Sequence, residues 1–171
     1  MLNFCGGLDP RKEVILMATS ASTLAAPLNI WGCHLERQSK TAMEAVPSRF
    51  LQYFAAYISC GIDLSVAAID IFEHNAFTAM AVVFLTGWVV EHELSCRGVI
   101  TIERTLRAAK VMNIADAAIS IYYFRAACGI SDINSYKAYL PFLAIRLASA
   151  ISSAYTLLSG RESHPEHLKS E

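Results

Sequence analysis

Long apolar stretches alternate with short polar ones along most of the chain. A transmembrane helix needs about 20 mainly apolar residues to cross a hydrocarbon core of roughly 30 Å. Five segments approach that length, and they are residues 13–33, 50–72, 76–91, 111–128 and 138–159. The pattern predicts an all-α fold, an integral membrane helical bundle with four or five transmembrane helices, formed by residues 1–171 as a single domain.

The five segments differ in how strongly they predict a membrane span. Residues 50–72 are the strongest, because only one amide and two acidic side chains interrupt them. Residues 13–33 are uncertain, since they are rich in Ala, Ser and Thr and contain Pro27 near their end. Residues 76–91 are short for a full crossing, so they extend into their flanks or lie within protein. That shortness, with the acids inside the segments, leaves a soluble all-α bundle as the alternative fold.

The polar stretches between these segments are interpreted as connections. Residues 34–49 form a polar link, and residues 73–75 form a tight connection. Residues 91–110 carry charges at both ends, and the pattern there indicates a loop that turns into the exposed start of a helix.

The basic residues divide unevenly between the two sides that this topology defines. Three lie on the side of the N-terminus, side A, and nine lie on side B. Lysine and arginine are enriched in cytoplasmic loops of membrane proteins, so side B is predicted to face the cytosol or its equivalent. Trp31 and Trp88 end the first and third segments near side B, and tryptophan is enriched at membrane interfaces.

The composition supports the membrane class and excludes several functions. Hydrophobic residues make up 54% and charged residues 17% of the chain, against about 25% charged in soluble domains. The net charge of −1 gives no basic excess for nucleic acid. The five cysteines form no C-x-x-C pair and are interpreted as buried thiols. We predict membrane lipid and other membrane subunits as partners, and no nucleic acid.

Ionisable residues inside the apolar segments are the candidate site residues, because a charge near the bilayer centre costs about 2.5–3.5 kcal/mol on insertion scales. They are Asp63, Asp70, Asp116, Arg125 and Arg146. Asp63 and Arg146 lie at matched depth with opposite charge, whereas Asp116 has no obvious partner. Such residues line an ion or proton path, or they form buried pairs that fix the packing of the bundle.

Asp70 and Arg125 both lie towards side A, where they pair with each other or with Lys137. Two stripes of small and polar residues lie on the fourth and fifth segments. The stripes are Asn113, Asp116, Ala117 and Ser120, and Ala148, Ser149, Ser152 and Ser153. Small residues at this spacing let membrane helices approach closely, either within the bundle or against another subunit.

No motif points to a cofactor or a metal. His74 and the stretch 91–93 lack the spacing of known zinc motifs, and no phosphate-binding or nucleophile motif occurs. We therefore predict no catalytic residue, no metal and no cofactor.

Three functions follow as hypotheses. The first is an accessory or structural subunit of a larger membrane complex, with the mitochondrion or another organelle as a candidate location. The second is a small ion or solute transporter that uses the buried Asp and Arg residues. The third, less favoured because no catalytic motif occurs, is a membrane-embedded enzyme for a lipid-like substrate, with Asp70, Glu73 and Glu91 around an apolar pocket.

Overall fold

The computed structural model describes residues 10–70, 76–128 and 133–159. Those residues form six helices and no strand. The helices are α1 (Pro10–Thr23), α2 (Ala26–Gln38), α3 (Ala42–Asp70), α4 (Ala76–Cys96), α5 (Ile102–Cys128) and α6 (Ile133–Leu158). The predicted all-α bundle is confirmed.

The uncertain first segment, 13–33, is two helices rather than one. Three hydroxyl groups of α1 bond back to carbonyl groups of their own helix, as when Thr23 Oγ1 donates to Thr19 O at 2.8 Å. Such bonds compete with the helical pattern and bend helices. Pro27 then follows at the start of α2, where its missing N–H leaves no bond to the preceding turn. The chain therefore breaks at residues 24–25 and continues in α2.

The predicted link at 34–49 was wrong, because only residues 39–41 separate α2 from α3. Thr41 caps α3, since its Oγ1 accepts a hydrogen bond from Glu44 N at 3.2 Å. Glu44 reaches back in turn, and its Oε2 accepts from Lys40 N at 2.9 Å. A threonine followed three residues later by a glutamate is the capping-box signature, and it starts the helix eight residues before the apolar run.

The loop predicted at 91–110 is also mostly helical. Helix α4 ends in a Schellman motif, in which Val99 N donates to Leu94 O at 2.9 Å and Gly98 N donates to Ser95 O at 3.0 Å. Gly98 has a φ of 72°, which a residue without Cβ adopts without strain. Thr101 then precedes α5 and accepts from Arg104 N at 3.4 Å. The connection is therefore a short turn.

Helix α5 lies at the centre of the bundle and packs on α1, α3, α4 and α6. Helix α4 is peripheral, with its main contacts to α3 and α5. Helices α2 and α3 lie close together at Gly32, where an added Cβ would lie 2.7 Å from Ser48 O. This close contact explains why a residue without a side chain stands there.

Four stretches of the described chain are long and apolar enough to cross a membrane. They are Pro10–Gln38, Met43–Ala68, Phe77–Cys96 and Tyr139–Leu158. Helix α5 covers the predicted span 111–128 but is not one of the four. Its 27 residues are about 40 Å long. Asn113, Asp116 and Ser120 are buried between helices, whereas Arg104, Arg107 and Arg125 are exposed. Both sets of polar residues lower the hydropathy of this helix.

Candidate functional site: a buried charge cluster

Arg146 on α6 lies at the centre of a buried polar cluster and is 2% exposed. Its Nη1 donates to Asp116 Oδ2 of α5 at 2.6 Å. Its Nε donates to Thr23 Oγ1 at 3.0 Å, and its Nη2 donates to Ser22 Oγ. One guanidinium thus joins α1, α5 and α6 at the break between α1 and α2.

Asp116 was expected to lack an obvious partner, and the structure shows that this expectation was wrong. It pairs with Arg146, and both side chains are 2% exposed. Asp63, which lies at the depth of Arg146, accepts a hydrogen bond from Ser120 Oγ instead. Its carboxyl group still interacts with both Asp116 and Arg146. The three residues therefore form one cluster.

The cluster contains two acceptors without a partner. Asp63 Oδ1 and Asp116 Oδ1 are buried and accept no hydrogen bond from the described residues. Buried polar atoms are nearly always hydrogen-bonded to protein or water. These two carboxylate oxygens are therefore acceptors that the described side chains leave open.

A second charged cluster, missed by the sequence analysis, is centred on Glu36 of α2. Glu36 Oε1 accepts from Lys110 Nζ at 2.9 Å and from Arg49 Nε at 3.0 Å, and Glu36 Oε2 accepts from Gln52 Nε2 at 2.7 Å. One carboxylate thus joins α2, α3 and α5. Glu36 was assigned to a polar link, so its burial was not anticipated.

Asn29 joins α2 to α6 without any charge. Its Nδ2 lies 2.8 Å from Ser149 Oγ and 2.9 Å from Ser153 Oγ, and all three residues are buried. The small stripe predicted on residues 148–153 therefore serves packing within the bundle at these serines.

The stripe predicted on α5 is likewise internal. Lys110, Asn113, Asp116 and Ser120 are all buried and lie on one face, since residues three and four apart are neighbours on a helix. Asn113 Nδ2 also donates to Gln52 O at 3.0 Å. This face extends for about 15 Å along the helix axis, from the Glu36 cluster to the Arg146 cluster.

Arg125 is the remaining predicted site residue whose side chain the structure describes, and it joins neither cluster. Arg125 and Lys137 are exposed on the outside of the bundle. The side chain of Asp70 lies outside the described residues, so the expected pair with Arg125 does too.

The two tryptophans occupy different environments. Trp31 is 57% exposed, as expected at an interface, whereas Trp88 is 3% exposed. Trp88 packs against Tyr53 with ring centroids 5.7 Å apart, and its Nε1 has no partner among the described residues.

An apolar groove of about 630 Å³ lies between α4 and α5, with Glu91, Arg104 and Arg107 among its lining residues. Glu91 Oε1 lies 3.6 Å from Arg104 Nε, so this acid is paired. Glu73, which was expected to join it in an enzyme site, lies outside the described residues.

Together these observations define a helical bundle with ion pairs buried beside its hydrophobic core and many apolar side chains on its surface. No protein-family model, curated protein or solved structure matches the chain. The interpretation of the site therefore depends on its geometry.

Proposed function

We propose that the protein is an integral membrane protein that acts as an accessory, structural subunit of a larger membrane complex. The observation that carries the proposal is the apolar surface of the bundle. Among the described residues, 26 large hydrophobic side chains are exposed, while charged residues such as Glu36, Asp116 and Arg146 are buried. Soluble proteins rarely expose large contiguous apolar patches, so lipid or other membrane helices are the natural surroundings of this surface.

The interior supports a structural role because its polar groups connect helices. Arg146 joins α1, α5 and α6, and Glu36 joins α2, α3 and α5. Asn29 adds a connection between α2 and α6. Breaking a buried ion pair is strongly destabilising, so these contacts fix one arrangement of the helices.

The outer face of α3 offers a surface to a neighbouring membrane helix. Gly61 and Ser65 are exposed and lie one turn apart, and nothing lies within 4 Å of an added Cβ at Gly61. Small residues at this spacing allow two membrane helices to approach closely. The sequence analysis did not identify this pair.

The test is carbonate extraction of the expressed protein, followed by purification in mild detergent and native mass measurement. We expect resistance to carbonate and a mass well above one chain. Gly61→Leu should reduce that mass by blocking the α3 face. The matched control is Gly87→Leu, since Gly87 is also an exposed helical glycine with open space around it.

Two results would contradict the proposal separately. Release by carbonate as an aqueous monomer would exclude the membrane assignment. A carbonate-resistant protein that is monomeric in every mild detergent would exclude the subunit role while leaving the membrane assignment in place.

Transport of protons or small ions is a second candidate function. The unpartnered oxygens of Asp63 and Asp116 favour it, as does the polar face of α5 that leads towards Glu36. Flux across vesicles containing the purified protein tests it: transport predicts a flux that Asp116→Asn abolishes, whereas a structural role predicts no flux above that of protein-free vesicles.

A further inference from the structure

The Arg146 cluster holds two acids and one base. Asp63, Asp116 and Arg146 are 0%, 1% and 2% exposed. With all three ionised, the cluster carries a net charge of −1. An uncompensated charge in a protein interior is costly, and buried charges are normally neutralised or paired. One further positive charge is therefore missing from this set.

The other titratable or charged groups around Asp63 do not supply that charge. On α3 itself the neighbouring titratable group is the thiol of Cys60, and α5 and α6 contribute Asp116 and Arg146. On helix α1, the hydroxyls of Ser22 and Thr23 both accept from Arg146. None of these groups is a second cation.

The hydrogen bonds show which carboxylate oxygens have a partner. Asp63 Oδ2 is bonded to Ser120, and Asp116 Oδ2 is bonded to Arg146. The two Oδ1 atoms have no donor among the described residues. Both unpartnered atoms belong to carboxyl groups that interact with each other. The uncompensated negative charge and the oxygens without a donor thus belong to the same two carboxyl groups.

Two ionised carboxylates accept hydrogen bonds but donate none, so neither can donate a hydrogen bond to the other. Their negative charges also repel each other unless a positive charge lies between them. A proton on one carboxyl group creates a donor and removes the excess charge. A sodium ion bound by carboxylate oxygens neutralises the same charge. A divalent ion would leave the cluster at +1.

We propose that Asp63 and Asp116 together bind one exchangeable monovalent cation, either a proton or a sodium ion. The site does not depend on the accessory-subunit role, because the cation neutralises the cluster whether or not it moves. Asp63→Asn should remove the need for the cation, since a neutral amide leaves Asp116 and Arg146 balanced.

The test combines infrared spectroscopy and thermal unfolding of the purified full chain in detergent. If the cation is a proton, the wild type in sodium-free buffer at neutral pH shows the C=O stretch of a protonated carboxyl group, and Asp63→Asn lacks that band. If it is sodium, the unfolding temperature of the wild type rises with NaCl but not with choline chloride, and Asp63→Asn loses this response. Glu103→Gln, a change to an exposed acid, should leave either signal intact.

Wild-type protein with neither signal would overturn the proposal without reference to any variant. A protonated-carboxyl band that persists in full in Asp63→Asn would overturn it as well. If Asp63→Asn fails to fold, Ser120→Ala replaces it, because loss of the hydroxyl donor shifts the band or weakens sodium binding while both acids remain. An unchanged band and an unchanged sodium response in Ser120→Ala would assign the signal to another group and contradict the proposal.

Discussion

Substitution of Arg146 by methionine should destabilise the bundle more than substitution of any exposed arginine. Methionine keeps much of the length and removes all three hydrogen bonds, to Asp116, Ser22 and Thr23. Asp116 would then stay buried without its counter-charge. Removing one partner of a buried ion pair costs about 3–5 kcal/mol, and we expect a loss of that size in the free energy of unfolding.

The assay is reversible unfolding of the purified protein in mixed micelles, with Arg97→Met as the matched control. Arg97 Nε lies 2.8 Å from Glu93 Oε1, but their side chains are 70% and 56% exposed. Exposed pairs at this helical spacing contribute about 0.3–0.5 kcal/mol. Both variants replace an arginine by methionine, and they differ in whether that arginine is buried.

A third variant separates the pair from its surroundings. The double substitution Asp116→Leu with Arg146→Met replaces both charges by apolar groups, which is often neutral or stabilising when shape is kept. It should recover most of the stability that the single substitution removes. If Arg146→Met were no more destabilising than Arg97→Met, the cluster would not be an ion pair in a dry interior, and the reasoning would be refuted.

Three further predictions concern the other interior contacts and can be measured in the same unfolding assay. Gly32→Ala should destabilise by about 1–3 kcal/mol through overpacking against Ser48, while Gly87→Ala, with open space around it, should be neutral or stabilising; equal effects would contradict the close approach of α2 and α3. Glu36→Gln should cost about 3 kcal/mol or more, because it leaves two cations without their buried partner, and a change below about 1 kcal/mol would show that the cluster is hydrated. Asn29→Leu should cost about 1–2 kcal/mol from lost interhelical hydrogen bonds, and no loss would mean that they are replaced by other partners.

The positions of helices were predicted correctly from the sequence where hydrophobicity alone determines them. Residues 50–72 and 138–159 are continuous apolar runs, and the structure has a helix over most of each. The first residue of a helix was predicted wrongly where local hydrogen bonds determine it. The capping box of Thr41 and Glu44 was present in the sequence, and it would have moved the start of α3 to its observed place.

The partners in the charge clusters could not be predicted from spacing along the chain. Depth in the predicted membrane matched Asp63 with Arg146 and left Asp116 without an obvious partner. The rotation of α5 about its axis determines that Asp116, and not Asp63, pairs with Arg146. That rotation depends on packing across the whole bundle. Arg125 shows the same limit, because it lies in an apolar segment but is exposed.

The burial of Glu36 was not predicted because the residues around it in the sequence are polar. The residues after Cys33 are mostly polar, so a hydropathy pattern places them outside the bundle. Helix periodicity places Asn29, Gly32 and Glu36 on one face, and all three are buried. That periodicity was the available signal.

The long sequence separation within the Arg146 cluster has a consequence for biogenesis. Ser22 and Thr23 are 124 and 123 residues away from Arg146, and Asp116 is 30 residues away. During synthesis the first five helices emerge before Arg146 does. Asp63 and Asp116 are therefore present in the nascent chain before the arginine of their cluster. Packing of α6 against the other helices is then the step that completes the bundle, and a chain arrested before α6 should be recognised by quality-control proteases as unfinished.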